Sequence, residues 1–387
     1  MESPSTQPAA TAPPAPPSAT SSASAPRPPR LLSLDFMRGA IMVLLALEST
    51  HLYEHLEKDT ENTPLHAIAI QFSHHPWHGL HAWDLVQPAF MFMAGAAMAF
   101  SLHRQQQQGI SWNQSFRKAL KRSGWLFFWG VLDYAVRPGG LSFELWDVLT
   151  QLSFTSLVAF LIFRWSVPAQ VATCAGLLVL TEIGYRFTHI PGFDQPFTDQ
   201  HNFGNYIDLL LMNKINKGGW VAINCIPTSV HTIAGALAGK LLLGPSTHKV
   251  RTLLGWSAAC LLLGYTMDAT GLTPIIKRIA TSSFTIVSLG WCLLILAACY
   301  WWIDVRNHRR RLLFFTIVGM NSLFIYLFFE IVGDRWFTAY IGAITNGLMG
   351  MAHIPTAIAA IITSLTVFGL EWYLCYFLYR KKIFFKL

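Results

Sequence analysis

The feature that most constrains this chain is the recurrence of apolar runs close to 20 residues long. That is the length a helix needs to cross a hydrocarbon layer of roughly 30 Å. Ten such segments can be marked, at about 32–51, 83–102, 124–138, 146–163, 167–187, 221–243, 252–269, 280–303, 312–332 and 355–379. Inside a bilayer the backbone must satisfy its own hydrogen bonds, so apolar runs of this kind imply helices. The expected fold class is therefore all-α, a polytopic membrane protein of about ten transmembrane helices. Composition agrees: 53% of the 387 residues are hydrophobic and only 12% charged, and the 14 Trp and 11 Tyr suit the bilayer interfaces. The third segment, "GWLFFWGVLDYAVRP", is short for a span, and no internal repeat is visible.

Residues 1–30 differ in kind. They hold 9 of the 20 prolines among Ser, Ala and Thr, too little apolar surface to offset the entropy of folding, and are expected to form a disordered cytoplasmic tail. No apolar stretch precedes Arg30, so the tail does not read as a signal peptide. Residues 31–387 then form one transmembrane domain. With alternating spans, 20 of the 28 Lys and Arg fall on the side shared by both termini. The positive-inside rule places the N-terminus and the C-terminus in the cytoplasm. The loop at about 52–82 then faces outward, as does a second long loop at about 188–220. The net charge of +8 sits at segment ends rather than on one face, which points to the lipid bilayer and away from nucleic acid. The six cysteines all lie in apolar segments without metal or disulfide spacing, and read as packing residues.

Polar residues inside such segments carry the functional signal. Asp35 and Arg38 share a helical face near the cytoplasmic end of the first segment, either as an anchor or as part of a cytoplasmic ligand site. Glu48, Ser49, Thr50 and His51 stand at its other end, where they meet interfacial water or a wet cavity. The outer loop then reads "SHHPWHGLHAWDLVQPAFMFMAG", with His74, His75, His78, His81 and Asp84 just ahead of an apolar run. Pro76 and Gly79 argue against a regular helix there. Three readings stand: an interfacial decoration without chemistry, a zinc site, or a proton-transfer site. Neither HExxH nor a Cys/His set is present for zinc. Imidazole titrates near neutral pH, which suits general-base work, and Asp84 could orient one ring or simply favour the start of its helix. Asn224, His231, Gln151, Asn321 and Glu330 read mainly as interhelical polar groups, and Gly235 with Gly239 as a packing face. The run Arg117, Lys118, Lys121, Arg122 is chiefly an orientation signal that could also attract a phosphorylated ligand.

"SLDFMRG" and "HHPWHGLHAWDLVQPAFMFMAG" are followed in order by "IPTSVHTIAGALAGK", "TPIIKRIATSSFTIVSLG" and "GMNSLFIYLFFE". Together they resemble the bacterial relatives of heparan-α-glucosaminide N-acetyltransferase, in the transmembrane acyltransferase superfamily. The resemblance covers about residues 30–380. It implies a bacterial inner-membrane enzyme that takes an acetyl group from cytoplasmic acetyl-CoA and delivers it to an amino sugar or glycan acceptor on the extracytoplasmic side. Acetyl-CoA is then the acyl donor, and no metal is expected. The family's catalytic histidine stands ahead of W-x-G-L, which implies His74, with His75 as its neighbour if the local match slips by one. Asp84 is the expected orienter. Glu48, Ser49 and His78 are expected near the acceptor, and Asp35 with Arg38 near the donor. Ser49 aligns with a functional Asn of the family, so acylation is expected more firmly than glucosamine as its acceptor.

The expected function is a membrane acyltransferase, N- or O-directed. A proton-coupled secondary transporter for a sugar or other small solute, using Glu48, Asp84, His231 and Glu330, is the alternative. A second copy of the chain is a further candidate partner, as a homodimer.

Overall fold

The computed structural model describes residues 31–137 and 141–385. The expected tail at 1–30 lies outside the described residues. Among the described residues, fifteen α-helices follow in chain order: α1 (Leu32–Ser49), α2 (Leu52–Thr60), α3 (His66–Ala69), α4 (Val86–Gln107), α5 (Trp112–Ala135), α6 (Val148–Ile162), α7 (Val167–Phe187), α8 (Phe203–Met212), α9 (Cys225–Leu243), α10 (Lys249–Ala269), α11 (Ser282–Cys299), α12 (Leu312–Met320), α13 (Ser322–Phe328), α14 (Thr338–Met351) and α15 (Thr356–Arg380). Wider π-helical turns extend α11 through Tyr300–Val305 and join α13 to α14 through Phe329–Phe337. No strand forms among the described residues; one isolated bridge pairs His78 with Ile276.

Side chains placed at the helix ends account for several boundaries. Ser111 and Gln114 cap α5 reciprocally: the Ser111 hydroxyl accepts from the Gln114 amide at 3.3 Å, and the Gln114 side chain accepts from the Ser111 amide at 3.1 Å. Asp147 caps α6 by accepting the Leu149 amide at 2.6 Å. The start of α1 is capped from far along the chain, where the Asp304 carboxylate accepts the amides of Leu32 and Ser33 at 3.2 and 3.1 Å.

Helices α4 and α9 form the centre. A Cβ on Gly95 would overlap the Thr232 carbonyl, and one on Gly235 would overlap the Phe92 carbonyl. Glycine therefore allows two backbones to touch, and Phe92, Met93, Ala96, Val230 and Ala238 pack around that contact with Leu293 and Leu296 of α11. A second core joins Met42 and Met91 to Leu149, Ile325, Phe329 and Cys375. Outside these cores the surface stays apolar: Leu180 on α7 is 56% exposed, Leu262 on α10 73% and Ile344 on α14 61%. An apolar exterior around long apolar helices is that of an integral membrane protein.

Among the described residues, five helices are long and apolar enough to cross a membrane: Ala82–Gln107, Val167–Phe187, Ala222–Leu243, Ser282–Val305 and Thr356–Arg380. Leu312–Met320 and Ser322–Met351, bent by 74° at Asn321, make a sixth if counted as one span. The expected count of ten is not reached by length and apolarity, for physical reasons. Helix α1 carries Asp35, Arg38 and Glu48, the first half of α5 is basic, α6 has only 15 residues, and α10 is diluted by Gly, Ser, Thr and Trp.

Candidate active site

The loop between α3 and α4 is held in place from three directions. His78 Nε2 bonds Asp268 Oδ1 at 2.7 Å, the Gly79 amide donates to the Ile275 carbonyl at 2.9 Å, and Trp77 Nε1 donates to the Phe197 carbonyl at 2.8 Å. Gly79 has φ +145°, and a Cβ there would run into the His75 ring, so only glycine fits the turn. These ties fasten the histidine loop to the end of α10, to the 270–281 segment that follows it and to the loop ahead of α8. That segment is itself fixed where Asn224 Nδ2 donates to the Arg278 carbonyl and the Thr281 hydroxyl donates to the Pro274 carbonyl at 2.7 Å.

The two segments meet at a cavity of about 240 Å³. Asp84, fully buried in the turn before α4, lies behind its wall. Its Oδ2 accepts the backbone amides of His81 at 2.9 Å and His75 at 3.3 Å. Its Oδ1 lies 3.0 Å from His74 Nδ1 and 3.5 Å from Lys277 Nζ, and Lys277 Nζ is also 3.0 Å from that same Nδ1. His74 and the buried Lys277 line the cavity. Trp220 borders both: its ring is 5.5 Å from the His74 ring and 5.2 Å from the Lys277 ammonium.

Burial, and then the positive charge of Lys277, hold the His74 imidazole down at about 4, against the opposing pull of Asp84. Burial pushes Lys277 down to about 8, opposed by Asp84 and Glu48. A neutral imidazole whose Nδ1–H donates to Asp84 leaves Nε2 carrying the free lone pair.

The rest of the lining is largely acidic and aromatic. Glu48, Trp83, Tyr134, Arg137, Trp146, Asp147, Tyr326 and Glu330 all line the cavity. Tyr326 donates its hydroxyl to Asp147 Oδ2 at 2.8 Å. Arg137 lies 2.7 Å from Asp133 and 3.5 Å from Glu330, with its guanidinium over the Tyr134 ring. Trp146 is fixed from behind, its Nε1 donating to Asp208 at 2.9 Å; burial pushes the Asp208 carboxyl up to about 7.

Of the residues singled out in the sequence, the cavity brings together His74, Glu48 and Glu330, with Asp84 behind His74. The others lie elsewhere. His75 supports Asp84 through its amide while its ring packs against His81 at 4.8 Å. His78 is exposed and serves the tie to Asp268. The Ser49 hydroxyl turns back to donate to the Ala46 carbonyl at 2.9 Å. Asp35 and Arg38 sit at the start of α1; Asp35 is 13 residues, or about 20 Å of helix, from Glu48. Sequence reasoning missed Lys277, Trp220, Asp147, Arg137 and Tyr326. Lys277 had a signal, as an ionisable residue just ahead of an apolar run, but counted there only as an outward charge.

No protein-family profile matches the chain. The chain is similar to heparan-alpha-glucosaminide N-acetyltransferase of Homo sapiens, 25% identical over 428 aligned positions that cover 93% of this chain and 60% of that protein. It is likewise 25% identical to heparan-alpha-glucosaminide N-acetyltransferase of Mus musculus over 384 positions, 82% of this chain and 56% of the relative. The chain thus spans a little over half the length of these curated relatives, and is related to them along most of its own length.

Proposed function

We propose that the chain is a membrane acyltransferase that moves an acetyl group from acetyl-CoA to the amine or hydroxyl of a sugar or glycan, with His74 as general base. The reading takes all ten segments as spans of a bacterial inner membrane, with both termini cytoplasmic and the cavity opening outward. The observation that carries it is an imidazole, held by a buried carboxylate, on a small cavity walled by indoles. The relatives' names as N-acetyltransferases support the same class.

The chemistry follows from the geometry. Nε2 takes the proton from the acceptor nitrogen or oxygen as that atom attacks the thioester carbonyl carbon. The carbon–sulfur bond breaks, and the imidazolium returns its proton to the departing thiolate. Trp83, Trp146 and Trp220 offer faces against which a sugar ring stacks, and Glu48 and Glu330 offer acceptors for its hydroxyl or ammonium hydrogens. At the far end of α4 a second cavity of about 530 Å³ is lined by His103 and by Arg164 and Lys240, the last two cations suited to the donor's phosphates. Phe90 in the first cavity and Ala99 in the second are about 14 Å apart along α4.

The test is purified protein in detergent given radiolabelled acetyl-CoA and a panel of amino sugars and glycans. Label should pass to an acceptor, and His74→Ala should abolish transfer in protein that still folds, as shown by a cooperative melting transition. A wild-type protein that neither binds nor turns over any acyl-CoA ends this reading. Uptake of unmodified solute by proteoliposomes would put the transporter in its place.

A further inference from the structure

Lys277 is unusual among the basic residues of this chain. It is 6% exposed, comes from a segment 203 residues away from the histidine loop, and reaches the back of the His74 ring rather than open water. Its ammonium stands 3.0 Å from Nδ1 and 3.5 Å from Asp84 Oδ1. One nitrogen cannot both donate to Asp84 and accept from Lys277, so the two compete for Nδ1, the carboxylate requiring its proton and the ammonium its lone pair. A buried carboxylate beside an imidazole, with nothing to balance it, stabilises the imidazolium. An imidazolium has no lone pair and cannot act as a base.

We infer that Lys277 is a positioning residue for acyl transfer: its ammonium neutralises Asp84 so that the carboxylate orients His74 without charging it. The inference deepens the acyltransferase reading and rests on it for what the neutral ring is used for. The charged groups facing the pair are Asp84 ahead of α4, Glu48 on α1, and Arg278 beside Lys277. Arg278 is the only other cation among them, and its guanidinium is engaged by the Gly218 carbonyl. Lys277 therefore supplies the compensating charge nearest the carboxylate. The Trp220 ring lies over the ammonium at 5.2 Å.

The test reads the charge state of His74 without needing turnover. Diethyl pyrocarbonate carbethoxylates only unprotonated imidazole, and the His74 side chain, 34% exposed, is open to it. The rate at His74 is followed by peptide mass spectrometry from pH 4.5 to 8 in the intact detergent-solubilised chain, for wild type, Lys277→Gln, Lys277→Met and Lys277→Arg. The wild-type rate should stay level down to about pH 5. In both neutral variants the midpoint should rise by about one pH unit or more, lowering the rate at pH 5 about two-fold or more. Lys277→Arg keeps the charge and should keep the wild-type profile. The acid limb of kcat/KM should move with the modification midpoint. An unshifted midpoint in both neutral variants, or an equal shift in Lys277→Arg, would overturn the inference. Failure of wild-type acetyl transfer would instead strike the proposed function, while the modification profile would still report on Lys277.

Discussion

Replacing Asp84 by Asn should be among the most damaging isosteric changes available in this protein. The carboxylate is fully buried and faces four donors: the amides of His75 and His81 on Oδ2, and His74 Nδ1 and Lys277 Nζ on Oδ1. An amide has one acceptor oxygen. Whichever way it turns, its NH2 confronts one of the two donor pairs, and Lys277 loses its counter-charge. Leaving a buried ion without its partner costs about 3–5 kcal/mol. Because Lys277 already titrates near 8, it sheds its proton under strain, so the cost should sit at the lower end and shrink further above pH 8. Asp84→Asn is thus predicted to lower stability by about 3 kcal/mol at pH 6.5. It should lower acetyl transfer by about 10²–10⁴-fold, the usual contribution of a positioned base. Combining Asp84→Asn with Lys277→Met removes the orphaned charge, so the double variant should be more stable than Asp84→Asn alone while remaining inactive. Melting followed by tryptophan fluorescence in detergent, at pH 6.5 and 8.5, reads both effects. If Asp84→Asn melts with wild type and the double variant gains nothing over it, the charge argument for this site is wrong.

Three other outcomes follow from the same structure. Gly235→Val places a side chain against the Phe92 carbonyl and should cost about 1–3 kcal/mol or more; Gly176→Ala on α7, where no neighbour lies within 4 Å, should be neutral or mildly stabilising in the same melting assay. Tyr326→Phe strips Asp147 of its 2.8 Å hydroxyl partner and should cost about 1–3 kcal/mol in the same melting assay. The third concerns pH. His74 titrates near 4 when folded against an ordinary 6.5, so between those values the unfolded chain holds a proton that the folded chain does not. Its contribution is fully present above pH 6.5 and is lost as pH falls toward 4. Melting temperature should fall across that window, and less steeply in His74→Gln; identical slopes would contradict the assignment.

The parts of this protein that were legible in the sequence are those whose physics is local. Apolar runs of span length gave α4, α7, α9, α11 and α15, because burial of a helix in lipid depends only on its own side chains. His74 and Asp84 were legible as a pair because ten residues of loop and a helix start hold them together. What could not be read depended on distant packing. Lys277 joins the site across 203 residues, and Asp147 meets Tyr326 across 179. Glu48 and Ser49 looked interchangeable as neighbours at the end of α1. A helix turns about 100° per residue, and that turn sends Glu48 to the cavity and Ser49 back to the Ala46 carbonyl. Likewise, His74, His78 and His81 suggest one face only if the loop is helical; the extended turn at Gly79 sends their rings to Asp84, Asp268 and the Ser73 carbonyl.

The central claim is that His74 serves acyl transfer between two sides of a membrane, and sealed proteoliposomes test it most directly. With labelled acetyl-CoA on the side of the α1 N-terminus and an amino sugar on the other, wild-type protein should produce labelled N-acetyl sugar on the sugar's side. His74→Ala, equally well folded, should produce none. Undiminished transfer by His74→Ala, or movement of the unmodified sugar across the membrane with no acetylation, would contradict the account.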